Sequence, residues 1–235
     1  MLFRSTLAPD CYANMFSGCT SLTTAPELPA TTFASYCCYM MFRGCTSLVT
    51  VPALHATTSA EYCCAYMFDG CKALTQAPEL PATTLAPYCY YNMFRGCTSL
   101  VTAPELPATT LASRCYNYMF QGCTALTTAP ALPATTLAEY CCAYMFEGCT
   151  ALTTAPELPA TTLADKCYSS MFMGCTSIKI SKTQSDEYPN AYRIPTDGTG
   201  NTASDALYYM FYNTGGTFTG TPSINTTYYT ANEVV

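Results

Sequence analysis

The sequence is built on a 26-residue period that runs through most of its length. The dipeptide Met-Phe recurs without slippage, and each copy is followed, after one variable residue, by Gly-Cys. The copies begin at Met15, Met41, Met67, Met93, Met119, Met145 and Met171. A fixed period of this size is typical of repeat proteins, whose units bury their apolar sides only against neighbouring units. The period therefore predicts one elongated solenoid domain.

The chain divides into an array and a modified end. We expect residues 1–178 to form about seven repeats, and residues 179–235 to form a degenerate last repeat that acts as a C-terminal cap. The next Met-Phe pair, at Met210, lies 39 residues after Met171, so 13 residues have been inserted. The triplets Ile-Lys-Ile (178–180) and Tyr-Arg-Ile (192–194) flank a polar stretch and predict a hairpin or paired edge strands. The chain begins within a repeat, which favours a fragment of a longer protein, and its start carries no signal peptide.

One unit, residues 22–47, indicates a short strand, a turn and a short helix. Residues 22–25 are extended, and the two prolines of the following Pro-Glu-Leu-Pro make it a turn. Thr32 is placed to cap a helix over residues 33–42, and Gly44 is placed to end it. Because a helix is about 10 Å wide and strands stack about 4.8 Å apart, the coils should curve with the strands on the concave side. The predicted fold class is an α/β repeat solenoid, a leucine-rich-repeat-like curved stack of short strand plus short helix with 26 residues per coil.

The copies also sort the side chains of the predicted helix into two sets. Phe33, Cys37 and Met41 keep their character in nearly every copy and lie four residues apart, so they should form a buried stripe. The residues at the positions of Tyr36 and Arg43 vary between copies and should be solvated.

The seventeen cysteines fall mainly into two columns with one member per repeat. One column follows the glycine and the other lies in the predicted helix. These thiols could form a disulfide ladder or a metal site, or they could be buried, free and apolar in character. The odd count prevents complete pairing, and a single histidine with no Cys-x-x-Cys spacing argues against zinc. We therefore expect buried free thiols that fill the core, and neither a metal nor a cofactor.

Composition excludes several functions. Half of the residues are apolar, only 10% are charged, and the formal net charge is −6. Nucleic-acid binding usually needs clustered Lys and Arg, so neither nucleic acid nor an anionic membrane is an expected partner. No run of 18 apolar residues is present, and no membrane insertion is expected. One histidine and no recognisable nucleophile or phosphate-binding motif indicate that the protein is not an enzyme. The glutamates of the Pro-Glu-Leu-Pro turns, absent from two copies, are expected to be surface residues.

The unit Met-Phe-x-Gly-Cys-Thr-Ser-Leu-Thr-Thr-Ala-Pro-Glu-Leu-Pro resembles the BspA-like leucine-rich repeats of bacterial surface proteins. In those repeats a Phe, a Gly-Cys pair and a Ser-Leu pair mark each coil. The resemblance covers residues 7–180, with a degenerate extension to about residue 222. It implies a leucine-rich-repeat fold and, for the parent protein, a location on the cell surface or secretion, with adhesion as the role of some relatives.

Two repeating sets of side chains are candidates for ligand binding. Small hydroxyls on the predicted concave face could meet a glycan or a peptide: Thr24, Thr50, Thr102, Thr128 and Thr154. Tyrosines on the predicted outer face are typical of antibody-like binding surfaces, or else stack on each other between coils: Tyr36, Tyr62, Tyr88 and Tyr140. A further series of Thr-Thr pairs, starting at Thr31, could form an ice- or sugar-binding ladder, but helix capping and hydrogen bonds between coils explain it better.

Two classes of function remain open. The first is a non-catalytic extracellular or cell-surface module that binds a protein or glycan of a host or neighbouring cell, including a phage protein that contacts its host. The second is a structural spacer or stalk with no ligand. The near-identity of the copies favours a spacer, whereas the Tyr-rich and Asn-rich variable positions favour binding.

Overall fold

The computed structural model describes residues 6–194 and 203–235, and within them each repeat forms one coil that pairs with the next. Backbone N–H groups donate to carbonyls of the following coil about one period away. Ala25 N, for example, lies 2.8 Å from Thr50 O, and Phe42 N lies 2.9 Å from Met67 O. The coils are therefore held to each other by main-chain hydrogen bonds as well as by apolar packing.

The described residues contain no helix, so the predicted α/β fold class, with a helix over residues 33–42, is wrong. In this segment the N–H of Tyr39 donates to the carbonyl of Tyr36, three residues earlier, whereas the N–H of Cys38 donates to Cys63 in the next coil. This alternation continues along the segment. An α-helix requires each N–H to reach the carbonyl four residues earlier, which is impossible when every second N–H pairs with another coil. No segment of the described chain is therefore a helix able to cross a bilayer.

The segment is instead a series of β-turns, which we call the turn ladder, spanning residues 34–45 and its equivalents. The turns 34–37, 38–41 and 42–45 each place a residue of positive φ third, as a type II turn requires. These residues are Tyr36 at 56°, Met40 at 53° and Gly44 at 71°. Gly44 thus supplies a left-handed conformation but ends no helix. A structural period of four residues also explains the apolar spacing that imitates a helix.

The opposite wall of each coil is held by isolated parallel bridges, one residue wide. Thr24 pairs with Thr50, and Thr102 pairs with Thr128. Thr32 caps no helix; its row also forms bridges between coils, such as Thr58 with Thr84. Since both walls hydrogen-bond directly from coil to coil, neither wall holds neighbours a helix width apart. The predicted curvature, with the strands on the concave side, therefore has no physical basis, because it depended on a helix on one wall.

The core lies between the two walls and is continuous from coil to coil. Phe33, Cys37 and Met41 are buried, which confirms the predicted stripe, whereas Tyr36 is half-buried and not fully solvated. Phenylalanine rings stack with centroids 5.4 Å apart at the N-terminal end and 5.8 Å apart at the last step. The column consists of Phe16, Phe42, Phe68, Phe94, Phe120, Phe146, Phe172 and Phe211. One ring per coil therefore extends a single apolar column.

A small mixed sheet follows the regular coils. Its strands are β1 (Lys179–Ser181), β2 (Asn190–Arg193), β3 (Gly215–Gly216) and β4 (Thr227–Thr230), in the order β2-β4-β1-β3. The expected pairing of residues 178–180 with 192–194, as a hairpin or as paired edge strands, is wrong, because β4 lies between β1 and β2 and pairs antiparallel with both. Residues 1–5 and 195–202, including the end of the inserted polar stretch, lie outside the described residues.

The last ring of the phenylalanine column is covered by residues from this region. Tyr192 meets Phe211 edge-on, with ring centroids 6.1 Å apart, and Phe218 does the same at 6.4 Å. Edge-to-face contacts of this kind are favourable and end a stack of parallel rings without exposing its last face.

Candidate functional site

The candidate tyrosines lie at one position of successive turn ladders. Tyr36 stacks on Tyr62 with centroids 4.8 Å apart, and Tyr62 stacks on Tyr88 at 4.4 Å. In the next coil Arg114 replaces the tyrosine, and its guanidinium lies 4.4 Å from the ring centroid of Tyr140. Stacking of tyrosines between coils, one of the two interpretations of the sequence, is therefore confirmed. The ring faces of this column are covered by neighbours, and a ligand could reach mainly the ring edges.

The hydroxyls of this column also have partners. Arg114 Nη1 donates to Tyr88 Oη at 2.9 Å, and Lys166 Nζ donates to Tyr140 Oη at 2.8 Å. That hydrogen bond to Tyr140 raises the pKa of Lys166. Burial, together with the neighbouring phenol of Tyr88, raises the pKa of Tyr62 to about 12. The phenol of Tyr62 is therefore neutral at physiological pH, and the column binds its own cations.

A second polar feature of the turn ladder was not predicted. Arg43 Nε donates to Asp69 Oδ2 at 3.0 Å, and Arg95 Nη1 lies 3.9 Å from Asp69 Oδ1. Arg95 Nε then donates to Gln121 Oε1 at 2.8 Å, and Gln121 Nε2 donates to Glu147 Oε2 at 2.6 Å. We call this chain across five coils the polar ladder. The sequence did contain a signal for it: at the variable position of Arg43, hydrogen-bond donors and acceptors follow one another at one-period spacing.

The candidate threonines lie on the other wall, which we call the threonine face. Thr24, Thr50, Thr102 and Thr128 are exposed. Thr154 is half-buried, and its Oγ1 is buried without a hydrogen-bond partner in the described chain. Val49 and Val101 occupy equivalent positions of two coils, next to Thr50 and Thr102, and they are 53% and 46% exposed. The face thus presents hydroxyl and methyl groups, and its main-chain bonds run between coils.

Grooves lined by the Pro-x-Leu-Pro turns, and by the related Pro-Ala-Leu-His turn at residues 52–55, adjoin the threonine face. The first lies between residues 49–55 and 75–79 and has a volume of about 490 Å³. The second lies between 77–81 and 103–107, at about 450 Å³, and the third between 103–107 and 130–133, at about 340 Å³. The first and second grooves share Ala77 and Glu79, and the second and third share Glu105. They therefore form one surface across four coils.

These grooves were not predicted from the sequence, because the Pro-Glu-Leu-Pro segment was interpreted only as a turn. The available signal was its repetition at the same register in adjacent coils. Leu80 and Leu106 are buried while Glu79 and Glu105 are exposed. Each turn therefore places a carboxylate above apolar walls.

A similar groove at the last regular coil is partly filled by the chain itself. Glu157, Leu158 and Pro159 line it together with Arg193 and Val234, and its remaining volume is about 260 Å³. We call residues 232–235 the tail segment. Val235 N donates to Ala155 O at 3.1 Å, and Val235 O accepts from Glu157 N at 2.6 Å. Asn232 Nδ2 donates to Thr153 O at 3.1 Å. The tail segment is therefore attached to the edge of this coil, with the main chain of Val235 paired to residues 155 and 157.

The structure does not bring the two candidate sets together. Within residues 6–194 and 203–235, no hydrogen bond or ring contact joins the candidate tyrosines to the candidate threonines. The same part of the chain holds no group of three or more His, Cys, Asp or Glu residues arranged to bind a metal ion. The threonine face and its grooves are thus one candidate site, and the tyrosine column is another.

Comparison with known proteins identifies the repeat. The family model for the BspA type leucine rich repeat region matches residues 10–141 and 83–188, in 6 copies. No curated protein and no solved structure matches the chain.

Proposed function

Because the chain belongs to the BspA-type leucine-rich repeat family, we propose that it is a non-catalytic extracellular or cell-surface module that binds a protein or glycan of a host or neighbouring cell. Members of this family are repeat modules that are often surface-associated and involved in binding, and they are generally non-catalytic. We assign the binding site to the threonine face and its grooves.

One observation carries the choice of face: the tyrosine column is closed by its own stacking, whereas the threonine face is open. Rings such as Tyr62 have a neighbour on each face. Thr50, Thr102 and Thr128 are exposed. Thr50 lines the first groove, and residues 103–107 and 130–133, which follow Thr102 and Thr128 in their coils, line the third. Ligand sites in proteins are concave and mostly apolar, with a few polar groups that orient the ligand. The grooves beside the hydroxyl row have this character.

Repetition supplies the binding energy in this proposal. Each coil contributes a similar weak set of contacts, and a ligand that spans several coils engages them together. Linked contacts of this kind add affinity without a new type of contact, provided that the geometry lets all of them form at once. The hydrogen bonds between coils hold the contacts in a regular register.

The proposal is tested by a binding screen against host glycans and host surface proteins with two matched variants. The first, Thr50→Val/Thr102→Val/Thr128→Val, removes three exposed hydroxyls but keeps the β-branched shape that the bridges tolerate. The second, Tyr36→Phe/Tyr62→Phe/Tyr140→Phe, removes hydroxyls but keeps the ring stacks. We expect the wild type to bind, the threonine variant to lose binding and the tyrosine variant to retain it. Loss in the tyrosine variant alone, or no binding by the wild type, contradicts the proposal.

A structural spacer is the second candidate, and one observation favours it. Both walls pair from coil to coil, and the phenylalanine column is unbroken from Phe16 to Phe211. A spacer would depend on its number of coils and not on its surface. Deletion of two whole coils would then impair the function of a displayed partner domain, whereas the threonine variant would leave it unchanged.

A further inference from the structure

The threonine face and its turns carry carboxylates but no Lys or Arg, and their one histidine, His55, lines the first groove. The six segments 22–32, 48–58, 74–84, 100–110, 126–136 and 152–162 contain no Lys or Arg. Their four carboxylates are exposed: Glu27, Glu79, Glu105 and Glu157. The ion pairs of the described residues lie elsewhere, on the turn ladder, where Asp69 and Glu139 pair with arginines. The carboxylates beside the grooves thus have no ion-pair partner within the described chain.

These carboxylates lie where neighbouring grooves meet. Glu79 lines the first and second grooves, and Glu105 lines the second and third. The walls are mainly proline, alanine and leucine, including Pro104, Leu106 and Pro130. A long cationic side chain suits such a place, because its methylene stem packs on apolar surface while its charged end stays near water and the carboxylate. A glycan would find few donors or acceptors in the third groove.

The chain itself provides an example of an occupant. Glu157, Leu158 and Pro159 repeat the positions of Glu105, Leu106 and Pro107 two coils later. The tail segment borders that groove, with Val234 among the lining residues, and Arg193 lines the same cavity. A groove of this type therefore accommodates an aliphatic residue of a segment that hydrogen-bonds to its edge, together with an arginine.

We propose that the three grooves between residues 49 and 133 bind an extended protein segment in which Lys or Arg residues alternate with aliphatic residues. This inference rests on the proposed function of the threonine face and specifies its partner. The aliphatic side chains enter the grooves, and the cations meet Glu79 and Glu105. Opposite charges at an interface rim act mainly on the association rate and on its salt dependence.

The test uses the full chain and two labelled synthetic probes, a hexapeptide of alternating Lys and Val and a hexapeptide of alternating Glu and Val. Fluorescence anisotropy should show binding of the Lys-Val probe, weakened by added salt, and no binding of the Glu-Val probe. Glu79→Gln/Glu105→Gln should weaken binding by about fivefold, since two partly exposed ion pairs are lost. The matched control, Glu61→Gln/Glu139→Gln on the turn ladder, should bind as the wild type does.

Equal binding by the groove variant and the wild type overturns the inference, as does failure of the Lys-Val probe to bind. The proposed function is judged separately in the screen with the threonine variant. If a glycan binds there in a threonine-dependent way while the Lys-Val probe does not bind, the inference falls and the proposed function stands. If neither the probe nor any screened ligand binds, both fall.

Discussion

The thiol of Cys97 donates a hydrogen bond to the main-chain carbonyl of Phe68, one coil earlier, with 3.2 Å between Sγ and O. The other buried cysteines of the Gly-Cys column make the same bond at 3.0 to 3.2 Å. They are Cys45, Cys71, Cys123, Cys149 and Cys175. All seventeen thiols are free, and fifteen of them are buried. The cysteines of this column therefore fill the core, as expected, and also join adjacent coils.

This bond predicts that the two cysteine columns differ in their contribution to stability. Cys97→Ala removes a close thiol–carbonyl bond, whereas Cys115→Ala removes one whose Sγ lies 4.0 Å from its acceptor. Both residues are fully buried, so the cavity left is similar. We expect Cys97→Ala to lower the free energy of unfolding by about 0.5 kcal/mol more than Cys115→Ala, because a thiol is a weak donor. Urea denaturation measures this difference, and equal losses would show that the bond contributes nothing.

Buried thiols and phenols predict a loss of stability at alkaline pH. Burial raises the pKa of Cys71 and of Cys149 from the ordinary 9.0 to about 12, and it also raises the pKa of the fully buried phenol of Tyr192. Below pH 9 these groups are protonated in both the folded and the unfolded chain, so they add no pH dependence. Above pH 9 these groups lose their protons in the unfolded chain before they do so in the folded chain. The free energy of unfolding therefore falls by about 1.4 kcal/mol per pH unit for each such group.

Chemical denaturation at intervals between about pH 7 and about pH 11 tests this sign. Stability should stay level up to about pH 9 and then fall. A free energy of unfolding that is unchanged throughout the range would contradict the assigned burial of these groups.

From the polar ladder we predict that Asp69 contributes more to the free energy of unfolding than other acidic residues of the turn ladder do. Asp69 is buried between Arg43 and Arg95, whereas Glu139 is exposed and lies 3.7 Å from Arg114. Asp69→Asn should lower the free energy of unfolding by about 1–2 kcal/mol, because it weakens a charge-assisted hydrogen bond in a partly buried place. Glu139→Gln should change it by less than about 0.5 kcal/mol. Thermal and urea denaturation of both variants give the comparison; a larger loss for Glu139→Gln would reverse the assignment.

Because the glycines of the turn ladder have positive φ, we predict that alanine and asparagine at these positions will destabilise the chain to different extents. Gly122 has φ of 71°, and a Cβ added there would have its nearest neighbours at 3.9 Å, so space is sufficient and conformation sets the cost. Gly122→Ala should destabilise the chain by about 1–2 kcal/mol. Gly122→Asn should cost less, because asparagine tolerates positive φ. The degenerate coil already carries Asn213, with φ of 57°, at this position. If asparagine is as costly as alanine, contacts between coils and not φ determine the choice of glycine.

Several features of the fold can be predicted from the repeat pattern. The period placed equivalent residues in one column, and this identified the buried stripe of Phe33, Cys37 and Met41 and both cysteine columns. The same columns suggested that Tyr36, Tyr62 and Tyr88 could stack. The helix over residues 33–42 was wrong because the apolar spacing of four residues fits one face of a helix and a ladder of β-turns almost equally well.

The 26-residue period sets the register, since identical residues one period apart meet in adjacent coils whatever local conformation the coils adopt. The local conformation itself depends on contacts between coils. Every second N–H in the turn ladder, such as that of Cys38, finds its acceptor in the next coil, and no single copy of the repeat contains that acceptor. The difference between the two faces also depends on contacts between coils. The spacing between coils stacks the tyrosine rings on each other, and it leaves grooves between the proline turns beside the threonine face.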